Sequence, residues 1–111
     1  MKVLLVETDE PLARLMAWVL LEAEFEVTAA SSLDSARAKA GARPAVIVLN
    51  THMPVQDKRD TVDQLRDASP SSAILDVHRQ PAESGNTGAD AYLVMPFDAD
   101  DLVTAVRSLS S

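Results

Sequence analysis

Five short apolar segments alternate with stretches of helical patterning, and this alternation constrains the fold more than any other feature of the chain. The segments cover residues 2–6, 26–29, 44–50, 73–77 and 91–94, of which 2–6 and 44–50 are the most continuously apolar. Short runs that are apolar throughout are typical of strands buried on both faces of a sheet. The stretches between them predict helices over residues 11–23, 33–40 and 58–68, and Asp98 predicts the cap of a last helix. Strands that alternate with helices indicate a parallel sheet covered on both sides.

The connections between these strands predict the topology and the domain organisation. Right-handed crossovers produce an α/β doubly wound sheet, and the flavodoxin-like order of five such strands is 2-1-3-4-5. With 111 residues, the chain has the length of one domain, residues 1–111. Residues 79–88 contain one proline and two glycines, which are unfavourable inside a helix. We therefore expect a loop or a single turn there, so that helix 4 of the fold is shortened or missing.

Charge and composition exclude several classes of function. The chain has 10 basic and 17 acidic residues, a net charge of -7 that argues against nucleic acid and anionic membrane surfaces as partners. It has no cysteine, which excludes disulfides, thiolate metal sites and cysteine nucleophiles. No apolar run approaches the ~18 residues of a transmembrane helix, and the apolar start is too short for a signal peptide. We expect a cytoplasmic protein.

The carboxyl ends of strands 1 and 3 are the expected functional edge, because ligands of doubly wound sheets bind where the winding reverses. Glu7 and Thr8 follow strand 1, and Asn50 ends strand 3. Further motifs follow at Met53-Pro54, at Gly88-Ala-Asp-Ala-Tyr92 and at Met95-Pro96-Phe97. In this order and at these separations, the segments resemble a bacterial response-regulator receiver domain of the CheY-like superfamily over nearly the whole chain. The resemblance implies a role in two-component phosphorelay signalling.

The resemblance also implies a phosphorylation pocket, and the chain departs from it at most positions. Receivers phosphorylate an aspartate at the end of strand 3, with Mg²⁺ held by carboxylates after strand 1 and the phosphoryl group held by a hydroxyl after strand 4 and a lysine after strand 5. The corresponding positions here are Glu7, Thr8, Asn50, Val77 and Met95. If strand 4 is aligned with the family one residue later, His78 instead of Val77 takes the position of the hydroxyl residue. Tyr92 keeps the family's switch aromatic, although a half-buried strand residue would look the same, and Lys58 replaces a usual glycine.

These departures predict a pseudo-receiver that is not an enzyme and holds no metal or cofactor. It would bind proteins, such as a signalling kinase, an output domain or a second copy in a homodimer. One alternative keeps a part in phosphorelay, through an unusual acceptor or by docking a histidine kinase. Another is a small flavodoxin-like enzyme or cofactor carrier, but the chain has no glycine-rich phosphate loop or catalytic triad pattern.

Helix 1 has more apolar residues than one core-facing stripe needs. The stripe is predicted to comprise Leu12, Leu15, Met16, Val19 and Leu20. Ala17, Trp18 and Leu21 fall outside it, and an exposed patch with a tryptophan often marks a partner site. The alternative is that Trp18 folds over the helix edge or packs on Phe25.

The remaining titratable residues offer little chemistry. His52 and His78 lack a partner at metal-ligand spacing and are expected on the surface or at its rim. Asp57, predicted in a loop past Pro54, and Asp76, predicted within strand 4, are poor substitutes for the acceptor carboxylate.

Overall fold

The computed structural model describes residues 1–51, 53–78 and 87–110. The described part has five strands and four helices. The strands are β1 (Lys2–Glu7), β2 (Glu26–Ala30), β3 (Val46–Asn50), β4 (Ala73–His78) and β5 (Ala91–Val94). The helices are α1 (Glu10–Glu22), α2 (Leu33–Ala40), α3 (Val55–Ala68) and α4 (Ala99–Ser110).

The five strands form one parallel sheet in the order β2-β1-β3-β4-β5, which confirms the predicted doubly wound fold. Glu7 at the end of β1 is level with Asn50 at the end of β3. Asp76 of β4 is level with Tyr92 of β5, and His78 is level with Val94. The register therefore brings the carboxyl ends of β1, β3 and β4 to one edge of the sheet.

Two apolar cores cover the two faces of the sheet. Alternate strand residues point to opposite faces, so each strand contributes to both cores. One core joins Val48 and Val77 of the sheet to Met16 and Leu20 of α1 and Leu102 of α4. The other joins the opposite face to α2 and α3 through Ala36, Ala40, Val62 and Leu65. Side chains at the carboxyl edge are thereby held from both sides.

Three helices begin at polar caps that accept backbone N–H groups. The Asp9 side chain accepts from Leu12 N at α1, and Ser32 Oγ accepts from Ser35 N at 3.1 Å at α2. Before α4, Asp98 Oδ1 accepts from Asp101 N at 2.8 Å, as the sequence predicted. Such caps satisfy amide groups that have no partner within the helix.

Helix α3 begins at Val55, three residues before the predicted start. Its first turn has no regular apolar pattern, and its N-cap Pro54 makes no side-chain capping bond. The prediction that Asp57 lies in a loop is therefore wrong, because Asp57 belongs to the first turn of α3.

The predicted short fourth helix falls mostly on residues 79–86, which lie outside the described residues. Thr87 and Gly88, which follow, belong to neither a helix nor a strand. Gly88 has a φ of 84°, a conformation that side chains disfavour. Its carbonyl accepts a 2.7 Å hydrogen bond from Arg66 Nη2 of α3, which anchors this segment before β5.

Candidate functional site

The end of β3 presents a neutral amide inside the protein. Asn50 is fully buried, and its Nδ2 lies 3.6 Å from Met16 Sδ on α1, a contact to a weak acceptor. The adjacent Glu7 is also buried, with 2% of its surface exposed. The side chain at the end of β3, where the resemblance places a nucleophile, is therefore a carboxamide, and it points towards α1.

The other predicted pocket positions supply little charge to this edge. Thr8 is exposed, and Met95, after β5, is half-buried and packs against the core beside α1 and α4. Mg²⁺ prefers several hard oxygen ligands in an octahedral arrangement that keeps some waters. Glu7 is the only carboxylate among the five predicted pocket positions, and it is withdrawn from solvent. This donor set does not fit Mg²⁺.

Two residues at the end of β4 could take the position of the family's hydroxyl residue, and they differ in their surroundings. Val77 is fully buried in the core beside α1 and α4. His78 is the last residue of β4, and its ring stacks on Tyr92 with centroids 5.6 Å apart. His78 has 1% of its surface exposed, so its expected surface position is wrong. His52 lies outside the described residues.

A buried charged cluster lies between β4 and α3, on the opposite side of the sheet from α1. Lys58 Nζ lies 2.6 Å from Asp76 Oδ1 and donates to Val77 O at 2.7 Å. Thr87 Oγ1 donates to Asp76 Oδ2 at 2.5 Å, and His78 Nε2 lies 2.9 Å from the same oxygen. We call Lys58, Asp76, His78 and Thr87 the β4 cluster. Each member has at most 3% of its surface exposed.

Only part of the β4 cluster could be read from the sequence. Asp76 lies within β4, as predicted, but its partners were not predicted. An aspartate inside an apolar strand requires a compensating cation or hydrogen bonds when both faces are covered. Lys58 stands four residues before Val62 and seven before Leu65, on the buried face of α3. That spacing was the available indication that Lys58 faces the sheet.

Helix α1 leaves an apolar patch on the surface. Leu15, Trp18 and Leu21 are 57%, 60% and 54% exposed. The core stripe is centred on Met16 and Leu20, which are buried, and Leu15 lies about 100° around the helix from Met16. The prediction that Leu15 faces the core is therefore wrong. Ala17, predicted in the patch, is half-buried and packs against the core, while Phe25 is buried and lies under Arg107.

Two clefts flank the exposed tryptophan. One, of about 360 Å³, lies between α1 and the segment before α4 and is lined mainly by apolar side chains, including Leu15, Met95 and Phe97. The other, of about 370 Å³, lies between α1 and α4 and includes Glu22, Asp100 and Arg107. Trp18 lines both clefts. The exposed face between α1 and α4 is thus a groove with an apolar floor and charged margins.

Two searches confined to residues 1–51, 53–78 and 87–110 were negative. No group of three or more potential His, Cys, Asp or Glu ligands is placed to hold a metal ion. No helix in this part is long and apolar enough to cross a membrane.

The sheet order and the site at its carboxyl edge define a doubly wound α/β protein of the flavodoxin-like class. Comparison with known families gives a more specific result. The model of the response regulator receiver domain matches residues 3–107. The chain therefore belongs to the response regulator receiver family, whose members act in two-component signalling.

Individual relatives agree with this assignment. The chain is 30% identical over 112 residues to the probable transcriptional regulatory protein TcrX of Mycobacterium tuberculosis, a match covering 95% of the chain and 48% of TcrX. It is 30% identical over 111 residues to the photosynthetic apparatus regulatory protein RegA of Rhodovulum sulfidophilum, covering 95% of the chain and 61% of RegA. The chain thus spans about half the length of the first of these curated relatives.

Solved structures show the same architecture. The chemotaxis response regulator CheY4 of Vibrio cholerae matches with a TM-score of 0.82 and 28% identity, over 97% of both chains. A putative response regulator from Chloroflexus aurantiacus matches with a TM-score of 0.83 and 24% identity, over 98% of this chain and 96% of that one. The second match supports the fold alone.

Proposed function

We propose that this chain is a single receiver domain that signals without being phosphorylated and acts by binding other proteins. The observation that supports this most directly is the buried carboxamide of Asn50 at the end of β3. Family members use an aspartate at the corresponding position. A carboxamide is a poor nucleophile and does not form the acyl phosphate that an aspartate forms.

The neighbouring positions support the same proposal. Phosphoryl transfer depends on positioned positive charge to balance the charge on the transferred group. Met95 stands where the family has a lysine, and Thr8 stands where it has a second acidic residue. With Asn50 and Met95 both neutral, neither leaves an isolated charge in the core, where it would be costly. The departures from the family's pocket residues are therefore consistent with one another.

A titration with a phosphoryl analogue tests this proposal. We expect the ¹H–¹⁵N NMR spectrum to remain unchanged when beryllofluoride and Mg²⁺ are added together. A receiver that retains the aspartate, tested alongside, should show shifts around its own pocket. Saturable shifts at Glu7, Asn50 and Thr51 would show that the pocket still binds a metal and a phosphoryl-like group.

The groove between α1 and α4 is our proposed partner surface, with the patch around Trp18 at its centre. Exposed tryptophans in apolar patches are enriched at protein interfaces. The margins include three acidic residues, Glu22, Asp98 and Asp100, against one basic residue, Arg107, and the chain has a net charge of -7. This charge favours a partner with basic residues and opposes close approach of a second copy. We therefore propose that the groove binds an amphipathic helix whose apolar face is flanked by lysine or arginine.

Two synthetic helical peptides test this docking surface. They share one apolar face and differ only in flanking lysines or glutamates. Since Trp18 is the only tryptophan, we expect the lysine peptide to shift its fluorescence to shorter wavelength, less so at high salt. Equal binding of both peptides, or of neither, would contradict the proposal.

Matched variants separate the groove from the rest of the surface. Leu15→Ala should weaken binding of the lysine peptide about tenfold, which corresponds to the loss of one apolar contact of about 1.4 kcal/mol. Thr28→Ala, on β2 and also exposed, should bind as the wild type does. Light scattering tests the homodimer: a wild-type dimer that Leu15→Ala converts to a monomer would assign the groove to a second copy instead.

Docking of a histidine kinase is compatible with this surface, because a kinase could present such a helix without transferring phosphate. The groove therefore favours the alternative in which a histidine kinase docks on this protein over the alternative in which an unusual residue accepts the phosphoryl group. Asp76 is already bound to Lys58 and Thr87 inside the protein, and Asp57 is exposed in the first turn of α3 rather than at the end of β3. No observation favours an enzymatic role.

A further inference from the structure

We propose that the β4 cluster always holds the ring of Tyr92 in one orientation, and we call this restraint the lock. Strand β5, at the edge of the sheet, then keeps one conformation whatever binds or changes at the end of β3. This inference does not depend on the proposed function. It concerns the mobility of one side chain, which can be measured without phosphate or a partner.

Asp76 is the centre of the lock. It occupies a position in β4 between Leu75 and Val77, and its side chain is completely buried on the α3 side. Lys58 Nζ lies 2.6 Å from one carboxylate oxygen, and Thr87 Oγ1 and His78 Nε2 lie within 2.9 Å of the other. Both oxygens therefore have close polar neighbours, which leaves the carboxylate little freedom to move.

The partners of Asp76 come from separate parts of the chain. Lys58 belongs to α3, His78 ends β4, and Thr87 follows residues 79–86. Lys58 also donates to Val77 O at 2.7 Å, so its ammonium is held at two points of β4. Because a buried charge without its partner is costly, each member restrains the others. The cluster thus ties α3, β4 and the approach to β5 together.

His78 transmits this restraint to Tyr92. Its ring lies 5.6 Å from the Tyr92 ring, with the two planes 23° apart, while Nε2 lies beside Asp76. One side of the imidazole is therefore directed at the fixed carboxylate and one face is directed at the tyrosine. Tyr92 lies on β5, the edge strand of the sheet, and is half-buried. Its ring therefore forms part of the surface that this edge presents.

The lock is separated from the end of β3 by the sheet itself. Asn50 points towards Met16 of α1, whereas Lys58 and Asp76 lie between β4 and α3. In these contacts, Asn50 and the Lys58–Asp76 pair thus engage different helices. The conformation of the edge strand β5 then depends on charges that are always present.

Fluorine NMR tests this inference, because Tyr92 is the only tyrosine of the chain. The protein is produced with 3-fluorotyrosine in place of tyrosine, and the ¹⁹F resonance is recorded between 5 and 35 °C. In the wild type we expect a shift far from that of free fluorotyrosine and no exchange contribution to relaxation. A resonance at the free position, or one broadened by millisecond exchange, would overturn the lock without any variant.

Variants then test whether the cluster is the cause. Thr87→Val removes one hydroxyl and should add measurable exchange at Tyr92, and Asp76→Asn should move the resonance towards the free position. Asp63→Asn, on the exposed face of α3, should leave it unchanged. If Asp76→Asn does not fold, Thr87→Val alone decides. A folded Thr87→Val protein with the wild-type ¹⁹F shift and relaxation would show that the cluster only stabilises the fold.

Discussion

Asn50 is a neutral side chain at the carboxyl end of β3. It is fully buried, level with Glu7, and its amide contacts the thioether of Met16. A carboxylate here would lie beside another carboxylate and would lack the cation that a lysine at position 95 would supply. The amide is therefore the residue that this surrounding structure tolerates.

Restoring the aspartate alone should not restore phosphorylation. We expect Asn50→Asp to lower the free energy of unfolding by about 3 kcal/mol, because an uncompensated charge is buried. We also expect no phosphorylation by acetyl phosphate with Mg²⁺, as read by intact mass. Thr104→Asp, which adds the same charge on the exposed surface of α4, controls for net charge. Adding Met95→Lys to Asn50→Asp should recover stability, and stable phosphorylation of the single variant would contradict our account.

Lys58 should contribute strongly to stability, because its removal leaves the Asp76 carboxylate buried without the ammonium that lies beside it. We expect Lys58→Met to lower the free energy of unfolding by about 3–5 kcal/mol in urea denaturation. The double variant Lys58→Met/Asp76→Leu, which removes both charges, should recover most of the loss. Lys2→Met, at an exposed lysine, is the control. A loss below about 0.5 kcal/mol in the single variant would show that the ion pair contributes little.

At the scale of the elements, periodicity and end signals predicted most boundaries closely. The bounds of α2 and β5 were predicted to the residue, because each lies between clear end signals. Helix α3 was predicted three residues too short, because its first turn after Pro54 has no regular apolar pattern. His78 was misplaced because its burial beside Asp76 and Tyr92 depends on the folded structure. Single residues do not reveal a tertiary partner, so buried polar pairs are what the sequence failed to show.

The cap of α2 offers a test at the scale of one helix. Two adjacent serines, Ser31 and Ser32, precede α2, and in the structure Ser32 Oγ accepts from Ser35 N. We expect Ser32→Ala to lower the free energy of unfolding by about 1 kcal/mol. Ser31→Ala should change it by less than about 0.5 kcal/mol. Equal effects of the two variants in thermal denaturation would contradict this cap.

Two adjacent leucines of α1 test which face of the helix is buried. Leu20 is completely buried and Leu21 is 54% exposed. We expect Leu20→Ala to cost about 2–5 kcal/mol through lost burial and a residual cavity. Leu21→Ala should change the stability by less than about 0.5 kcal/mol. Comparable losses in the two variants, measured by urea denaturation, would show that the exposed patch is instead part of the packed core.

At the scale of the whole molecule, the doubly wound sheet separates three features. The neutral end of β3 faces α1, the β4 cluster lies on the α3 side, and the groove beside Trp18 is on the outer surface of α1 and α4. The fold class and strand order could be predicted because alternation of strands and helices leaves few topologies. The exposed patch on α1 was only partly predicted, because Leu15 is exposed and Ala17 is half-buried.

The most direct test of the central claim is the intact mass of the wild-type chain after incubation with acetyl phosphate and Mg²⁺. We predict no added mass under conditions that phosphorylate a receiver with an intact aspartate. A gain of one phosphoryl group on the wild-type chain would contradict the account.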